Sequence, residues 1–496
     1  MSSASSLTIH EPEKGPEIST SPPQQPSVAQ SPQLAWNGSD DLENPQNWTV
    51  KRKWVLTFFL AFITFSATFS SSLFSADVVP TAEHFGVSTE ITTLETSLFV
   101  AGLAAGPVMF GPLSEQIGRK WPLLAGILIM TVFHIPVSVA QNIATVLIGR
   151  FLAGIGGSSP IAVIGGMLVD FWDPVGRGVA ICGFATATFA GPILAPICGG
   201  FMIVGGLSWR WLGYLNIILG GIMFTIGVVV IPETHAPTLL RKRAQKGLKD
   251  GGSKDDMPKI ERPKLDLKTI IFVYLMRPFI MLIQEPILIL MTMYMSFVYG
   301  VVYLNFSAWP ISFQQERGWN EGVGALPFLS ITVGVFAGCA ITIYLTKTRF
   351  ARKMKENNGV VVPEERLIPM MFGATLIPIS LFWFAWTSSP HITWIPQVLS
   401  GAPFGCGILM IFLQGLNYLI DVYRMYANSA LAGNTMIRSL VGAGFPLLAT
   451  PMYNRLKVAW ATSLLAFLSL AMVPIPFVFF IYGKKIRSWS KYSPKI

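Results

Sequence analysis

Charge is what this chain of 496 residues has least of. Asp, Glu, Lys and Arg make up 12% of it, about half the roughly 25% of an ordinary soluble domain. Hydrophobic residues make up 52%, which excludes a water-soluble globule and leaves a polytopic membrane protein. Cysteine is scarce too. Cys182, Cys198, Cys339 and Cys406 each fall in an apolar run, without metal-ligand spacing or an evident disulfide partner. No Gly-Lys-Ser/Thr phosphate loop occurs, which argues against use of ATP. No His/Cys/Asp cluster has metal spacing, and no nucleophile stands beside a base as an integral membrane enzyme requires. The sequence thus predicts no enzyme, no cofactor and no metal. The net charge of +10 does not point to nucleic acid, because the cations gather in loops between apolar runs. No long apolar run precedes Trp54, so the first membrane helix is expected to act as the targeting signal.

What is present is length in the apolar runs. Windows of ~20 apolar residues predict helices near 54–75, 93–113, 121–140, 144–169, 178–202 and 209–231. Six more are predicted near 279–304, 323–345, 367–387, 393–420, 426–450 and 459–482. The fold class is an all-α membrane protein, with twelve transmembrane helices in two six-helix halves, 53–231 and 279–483. Residues 1–52 are rich in Ser, Pro and Gln and read as a disordered tail. The stretch 232–278 reads as a solvated linker of mixed charge, in which Pro237, Pro258 and Pro263 oppose one continuous helix. Residues 484–496 form a short C-terminal tail. Lys and Arg concentrate in the loops on the side of both termini, so the positive-inside rule puts both termini in the cytosol.

The clearest stretch is Arg150 to Gly200, where two apolar segments flank a short polar turn. An arginine inside such a segment is costly and marks a functional candidate. Small residues let helices approach closely. Gly111-Pro-Leu-Ser-Glu-Gln-Ile-Gly-Arg-Lys, between the second and third helices, resembles the cytoplasmic-loop motif of the major facilitator superfamily, matched here by Glu115, Gly118, Arg119 and Lys120. Arg150 with its Gly-rich sequel resembles the fourth-helix motif of proton-coupled members. Gly191-Pro-Ile-Leu-Ala-Pro-Ile-Cys-Gly-Gly resembles the fifth-helix motif of the antiporter branch, with Ala195 in place of a usual glycine. Asp41-Leu-Glu-Asn-Pro-Gln-Asn-Trp, Trp209-Arg-Trp-Leu-Gly-Tyr-Leu-Asn, Glu285-Pro, Tyr299-Gly-Val-Val-Tyr-Leu-Asn-Phe and Asn428-Ser-Ala-Leu-Ala-Gly-Asn-Thr-Met-Ile-Arg-Ser are similar to stretches of the fungal twelve-spanner drug:proton antiporters. The resemblance covers roughly residues 40–490.

It implies proton-coupled efflux of drug-like or secondary-metabolite molecules by alternating access, with a polyamine or other metabolite carrier, or a transport-dead sensor, as the alternatives. The implied partners are a small hydrophobic or cationic substrate, protons and membrane lipid, with the chain acting as a monomer in the plasma membrane. Arg150 reads either as a fixed charge that tunes a coupling proton or as a structural arginine bonded to backbone carbonyls. Glu285 reads either as a proton carrier within helix seven or as a carboxylate beside backbone groups freed by Pro286, with a place nearer the cytoplasmic end as a further alternative. Glu115, Gly118, Arg119 and Lys120 are expected to clamp helix ends in one access state. Gly191, Pro192, Pro196, Gly199 and Gly200 are expected to pack a kinked helix against the other half and seal it. Tyr294, Tyr299, Tyr303, Gln414 and Asn417 are the candidates for lining a substrate cavity. Arg438 is expected to pair with Asp421 or with Glu285, or else to sit close to a membrane surface.

Overall fold

The computed structural model of the chain describes residues 36, 40–249, 276–358 and 362–492. Among these residues every regular element is helical, as lipid demands of a chain that must satisfy its own backbone hydrogen bonds. The first half contains α1 (Val50–Ala76), α2 (Thr89–Ile117), α3 (Lys120–Ser138), α4 (Ile143–Phe171), α5 (Gly176–Val204) and α6 (Arg210–Val230). The second contains α7 (Pro286–Glu316), α8 (Glu321–Glu356), α9 (Pro363–Thr387) and α10 (Trp394–Tyr423). A last apolar span, Ala427–Ser488, holds two passes. Lys457 interrupts it with φ 62° and ψ 165°, dividing α11 (427–456) from α12 (458–488). Twelve passes bring both chain ends to one side of the bundle, the terminal face.

Within each half, helices meet where a side chain is missing. A Cβ on Gly154 of α4 would strike the Phe99 carbonyl of α2, and one on Gly191 of α5 would strike the Phe65 carbonyl of α1. Gly334 of α8 lies in the same way on the Ala402 carbonyl of α10, and Gly405 of α10 on the Ile331 carbonyl of α8. Between the halves, buried side chains take part in the contact. A single buried cluster joins Val100, Cys182, Phe189 and Ile193 of the first half to α7, α9 and α10 of the second. On the terminal face Asn428 donates a hydrogen bond to the Glu115 carboxylate. On the opposite face Gly322 lies against the Phe201 ring, and Gly200 against the Glu321 carbonyl. The halves are therefore in contact at both ends.

Several boundaries differ from expectation: α8 continues to Glu356 and the last helix to Ser488, and three further stretches depart from their expected form. Residues 41–49 are not a loose tail: Asp41 pairs with Arg243 at 2.7 Å, and Trp48 stacks on Phe171 with centroids 6.0 Å apart. The 232–278 stretch opens with buried Glu233 and Thr234 and continues as a helix, Ala236–Lys249; its Pro258 and Pro263 lie outside the described residues. Helix seven starts in two pieces, Arg277–Gln284 and Pro286–Pro310, with Glu285 extended between them at φ −107°, ψ 104°. The cause is Pro286, whose ring disfavours helical geometry in the residue before it.

Candidate functional site

Arg150 is fully buried in α4. A guanidinium has five N–H donors, and here all of them have acceptors. Nε donates to the Glu95 carbonyl at 3.0 Å, and Nη2 to the carbonyls of Ser70 at 2.9 Å and Ser71 at 3.2 Å. Nη1 donates to Ser70 Oγ at 3.4 Å and His134 Nε2 at 3.2 Å. His134 donates from Nδ1 to the Met130 carbonyl at 2.7 Å, which leaves Nε2 as the acceptor and fixes the tautomer. The rings of Phe74 and Phe99 cover the guanidinium, each 4.4 Å from its carbon, a cation–π arrangement. Arg150 thus bolts α4 to the end of α1 and to α2.

Two acids share this pocket. Glu95 of α2 is buried with neither carboxyl oxygen hydrogen-bonded, and Asp77, just past α1, is buried with one oxygen unpartnered. The other Asp77 oxygen accepts from the Thr81 hydroxyl at 3.0 Å. Burial pushes the Asp77 carboxyl above the ordinary carboxylate range, against the opposing pull of Thr81 and of the Arg150 charge. The cluster also reaches the second half. Ser71, whose carbonyl Arg150 holds, hydrogen-bonds through its hydroxyl to Tyr303 Oη at 3.0 Å, and Tyr299 Oη donates to Tyr303 Oη at 3.5 Å.

On the terminal face the loop between α2 and α3 is gripped from two sides. The Glu233 carboxylate accepts from the backbone N–H of Arg119 at 2.8 Å and of Lys120 at 3.4 Å. It also accepts from the N–H groups of Thr234 and His235, each at 3.0 Å. Arg119 Nε pairs with Asp170 at 3.3 Å, and Lys120 Nζ donates to the Val228 carbonyl at 2.8 Å. Arg119 and Lys120 therefore clamp within the first half, and Glu115 alone of the set crosses to the second. Gly118 has φ +102°, and a Cβ there would lie 2.6 Å from the Glu233 carboxyl carbon. Gly118→Ala should expel that carboxylate and add backbone strain, lowering stability by ~1–3 kcal/mol. Thermal unfolding in detergent checks this; an unchanged midpoint would contradict the clamp.

In the second half, α7 presents Thr292, Ser296, Tyr299 and Tyr303 at helical spacing, all buried together with Tyr294. Facing them on α11 are Asn434, Arg438 and Gly442. Asn434 Nδ2 donates to Thr292 Oγ1 at 3.1 Å, and a Cβ on Gly442 would lie 2.7 Å from the Tyr299 ring. Arg438 sits between the rings of Tyr299 (4.8 Å) and Phe412 (5.2 Å), and Phe412 meets Phe189 of the first half at 5.1 Å. This is where α7, α10 and α11 face α1 and α5 across the bundle.

The sequence model of the Major Facilitator Superfamily matches residues 60–446. The chain belongs to the major facilitator superfamily. An MFS-type transporter of Penicillium crustosum is 49% identical over 93% of this chain and 94% of that one. The citrinin biosynthesis cluster MFS transporter of Monascus ruber is 49% identical over 93% and 92%, and the cercosporin MFS transporter of Cercospora nicotianae 42% identical over 93% and 90%. Among solved structures, the proton:xylose symporter XylE bound to 6-bromo-6-deoxy-D-glucose superposes with a TM-score of 0.65, covering 88% of this chain and 96% of that one. At 14% identity it shows the fold alone. The protein is a multi-pass membrane transporter of this superfamily.

Several expected roles move once this facilitator's helices are in place. Asp421 does not pair with Arg438: it pairs with Arg366 at 3.1 Å, because α10 delivers it beside the start of α9. Arg438 does not meet Glu285 either. The extended backbone at Glu285 places its carboxylate at the terminal face, where it accepts from the Lys491 backbone N–H at 2.8 Å and from Tyr423 Oη at 3.3 Å. Glu285 therefore fastens the C-terminal segment and does not reach Arg150. Gln414 lines a small cleft of the second half with Thr346, Arg349, Glu365 and Arg366, and half-buried Asn417 follows it on α10; Gln414 thus belongs to the α8–α9 side of α10. In the fifth-helix motif the helix continues through Pro192 and Pro196 without a break. Gly191 and Gly199 face α1 of their own half, and Gly200 alone touches the other, because the tight crossing here is α1 on α5. The residues that sequence reasoning missed are Asp77, Glu95, His134 and Glu233.

Proposed function

We propose that this facilitator is a proton-driven exporter of a small, largely apolar fungal secondary metabolite, working by alternating access. The observation that carries the reading is the buried group of Asp77, Glu95, His134 and Arg150, hydrogen-bonded through Ser71 to Tyr303 of the other half. Ionisable groups inside a membrane bundle mark ion pathways, and this group adjoins the surface where the halves meet. The relatives of secondary-metabolite clusters support the class of cargo. With the terminal face cytosolic, as loop charge indicates, Asp77 lies toward the exterior and takes protons from that side. Protonation of Asp77 and Glu95 changes the charge around Arg150. Arg150 holds the carbonyls of Ser70 and Ser71, so the end of α1 shifts and its bond to Tyr303 is released or made. The fifth helix and the Glu115–Asn428 contact then open or close with the halves. Plasma-membrane residence and one-chain action complete the proposal.

The test is efflux of a fluorescent drug-like panel from transporter-deficient yeast expressing the chain, with and without a protonophore. Efflux that collapses with the gradient supports the reading; efflux indifferent to the gradient overturns it. A pH profile tests the acid pair. Burial raises the Asp77 carboxyl above the ordinary carboxylate range, so it is neutral on the acid side of that raised value and ionised above it, and transport should rise as external pH falls and then level off. In Asp77→Asn that step should vanish. A profile unchanged by the substitution would remove Asp77 from the coupling site.

A further inference from the structure

The two arginines deepest in the bundle are satisfied in opposite ways. Arg150 has an acceptor for every donor and two acids in its pocket. Arg438 is 6% exposed and has neither a hydrogen bond nor an ion pair to any described residue; its Nε is buried without a partner. Three half-buried arginines have carboxylates, Arg119 with Asp170, Arg366 with Asp421 and Arg487 with Glu364; a buried Nε without a hydrogen bond also occurs at Arg241 and at Arg487, but neither lies in the middle of the bundle. Around Arg438 the ionisable neighbours are the phenols of Tyr299 and Tyr303, and the guanidinium faces two aromatic rings. Aromatic faces stabilise a cation in part, but they accept none of its directed N–H bonds. A buried charge held in this way is built to be completed by an anion. A second observation points the same way. Asn434, one turn earlier on the same face, is fully buried with Oδ1 unpartnered, and Ser296 across from it on α7 is buried with its hydroxyl unpartnered.

We propose that Arg438 is the receptor for an acidic group on the cargo: this facilitator selects aromatic or polycyclic molecules bearing a carboxylate or an ionised acidic hydroxyl. The inference rests on the exporter reading and narrows its substrate class. The planar guanidinium pairs with the anion in the two-pronged geometry that suits a carboxylate. Tyr299 and Phe412 offer ring faces to the cargo's frame, and Asn434 and Ser296 offer neutral hydrogen-bonding groups beside the charge. A cationic cargo meets an uncompensated positive charge at this position and is disfavoured.

The probes are 1-pyrenebutyrate, its methyl ester and 1-pyrenebutylamine, which share one aromatic frame and differ in charge. Binding to the purified full-length chain is read by energy transfer from tryptophan to pyrene at neutral pH, without any proton gradient. The expected result is at least tenfold tighter binding of the acid than of the ester or the amine. Arg438→Gln should lose that preference while still binding the ester, which shows that the variant is folded; Arg438→Lys should keep part of it. Equal binding of all three probes, tighter binding of the amine, a preference that survives Arg438→Gln, or no binding of any probe would overturn the proposal. The exporter reading fails separately, through efflux indifferent to the gradient, whatever the charge preference in binding.

Discussion

Arg150→Gln is expected to abolish gradient-driven transport, at least about 100-fold below wild type, a loss of ~2.7 kcal/mol or more. Glutamine has two amide donors where arginine has five, so carbonyls of Glu95, Ser70 and Ser71 would lose their partners in a site closed to water. The charge that offsets Asp77 and Glu95 would vanish with it. Removing one partner from a buried charge network costs about 3–5 kcal/mol, so thermal stability should fall as well. Arg150→Lys separates the two effects. It keeps a positive charge but has one point of attachment where the planar fork has several, and it should restore folding without restoring drive. Proteoliposome uptake under an imposed pH gradient, beside thermal unfolding in detergent, reads both. Wild-type drive in Arg150→Gln would remove this cluster from the mechanism.

Gly154→Val should leave no folded carrier. A Cβ there would lie 2.9 Å from the Phe99 carbonyl carbon and 3.0 Å from the Phe99 Cα, and a valine adds two methyl groups behind it. Overpacking a core costs about 1–3 kcal/mol when side chains can rearrange. Here the obstacle is the backbone of α2, which cannot swing aside, so the halves of the α2–α4 crossing must separate. That displacement would also pull Arg150, one turn away, from the Glu95 carbonyl. Gly221 of α6, with nothing within 4 Å of its Cβ position, provides the control: Gly221→Val should behave as wild type. Monodispersity on size exclusion decides the matter, and a monodisperse, thermally unchanged Gly154→Val would refute the close crossing.

The passes and their order were legible in the sequence because a membrane span is a property of local composition, and twelve apolar windows need no knowledge of partners. Arg150 was legible for the same reason, as a charge inside such a window. The acids around it were not. Glu95 stands three residues into a predicted helix and reads as its polar edge, while Asp77 reads as one acid of an exterior loop; only the convergence of α1, α2 and α4 buries them together. Glu233 was hidden by its setting inside the stretch read as a charged linker. The Arg366–Asp421 pair spans two helices whose relative rotation no single-helix pattern records, and Arg438 lost its expected partner on that account. Glu285 went astray through its own neighbour. Pro286 could be read as a helix break, but which way the carboxylate would point depended on a C-terminal segment 206 residues away.

The glycine crossings described above have a consequence for how such carriers diverge. Where helix lies on helix through bare backbone, as at Gly154, Gly191, Gly334 and Gly405, almost any replacement is excluded, so a lineage must hold those positions still. The surface where Tyr299, Phe412 and Arg438 meet Phe189 is made of side chains. It can be rewritten one residue at a time without unseating the frame. Inheritance is then expected to act on two layers at different tempos, a frozen skeleton and a restless lining. Such a division accommodates relatives 49% and 42% identical to this chain that carry the names of citrinin and cercosporin.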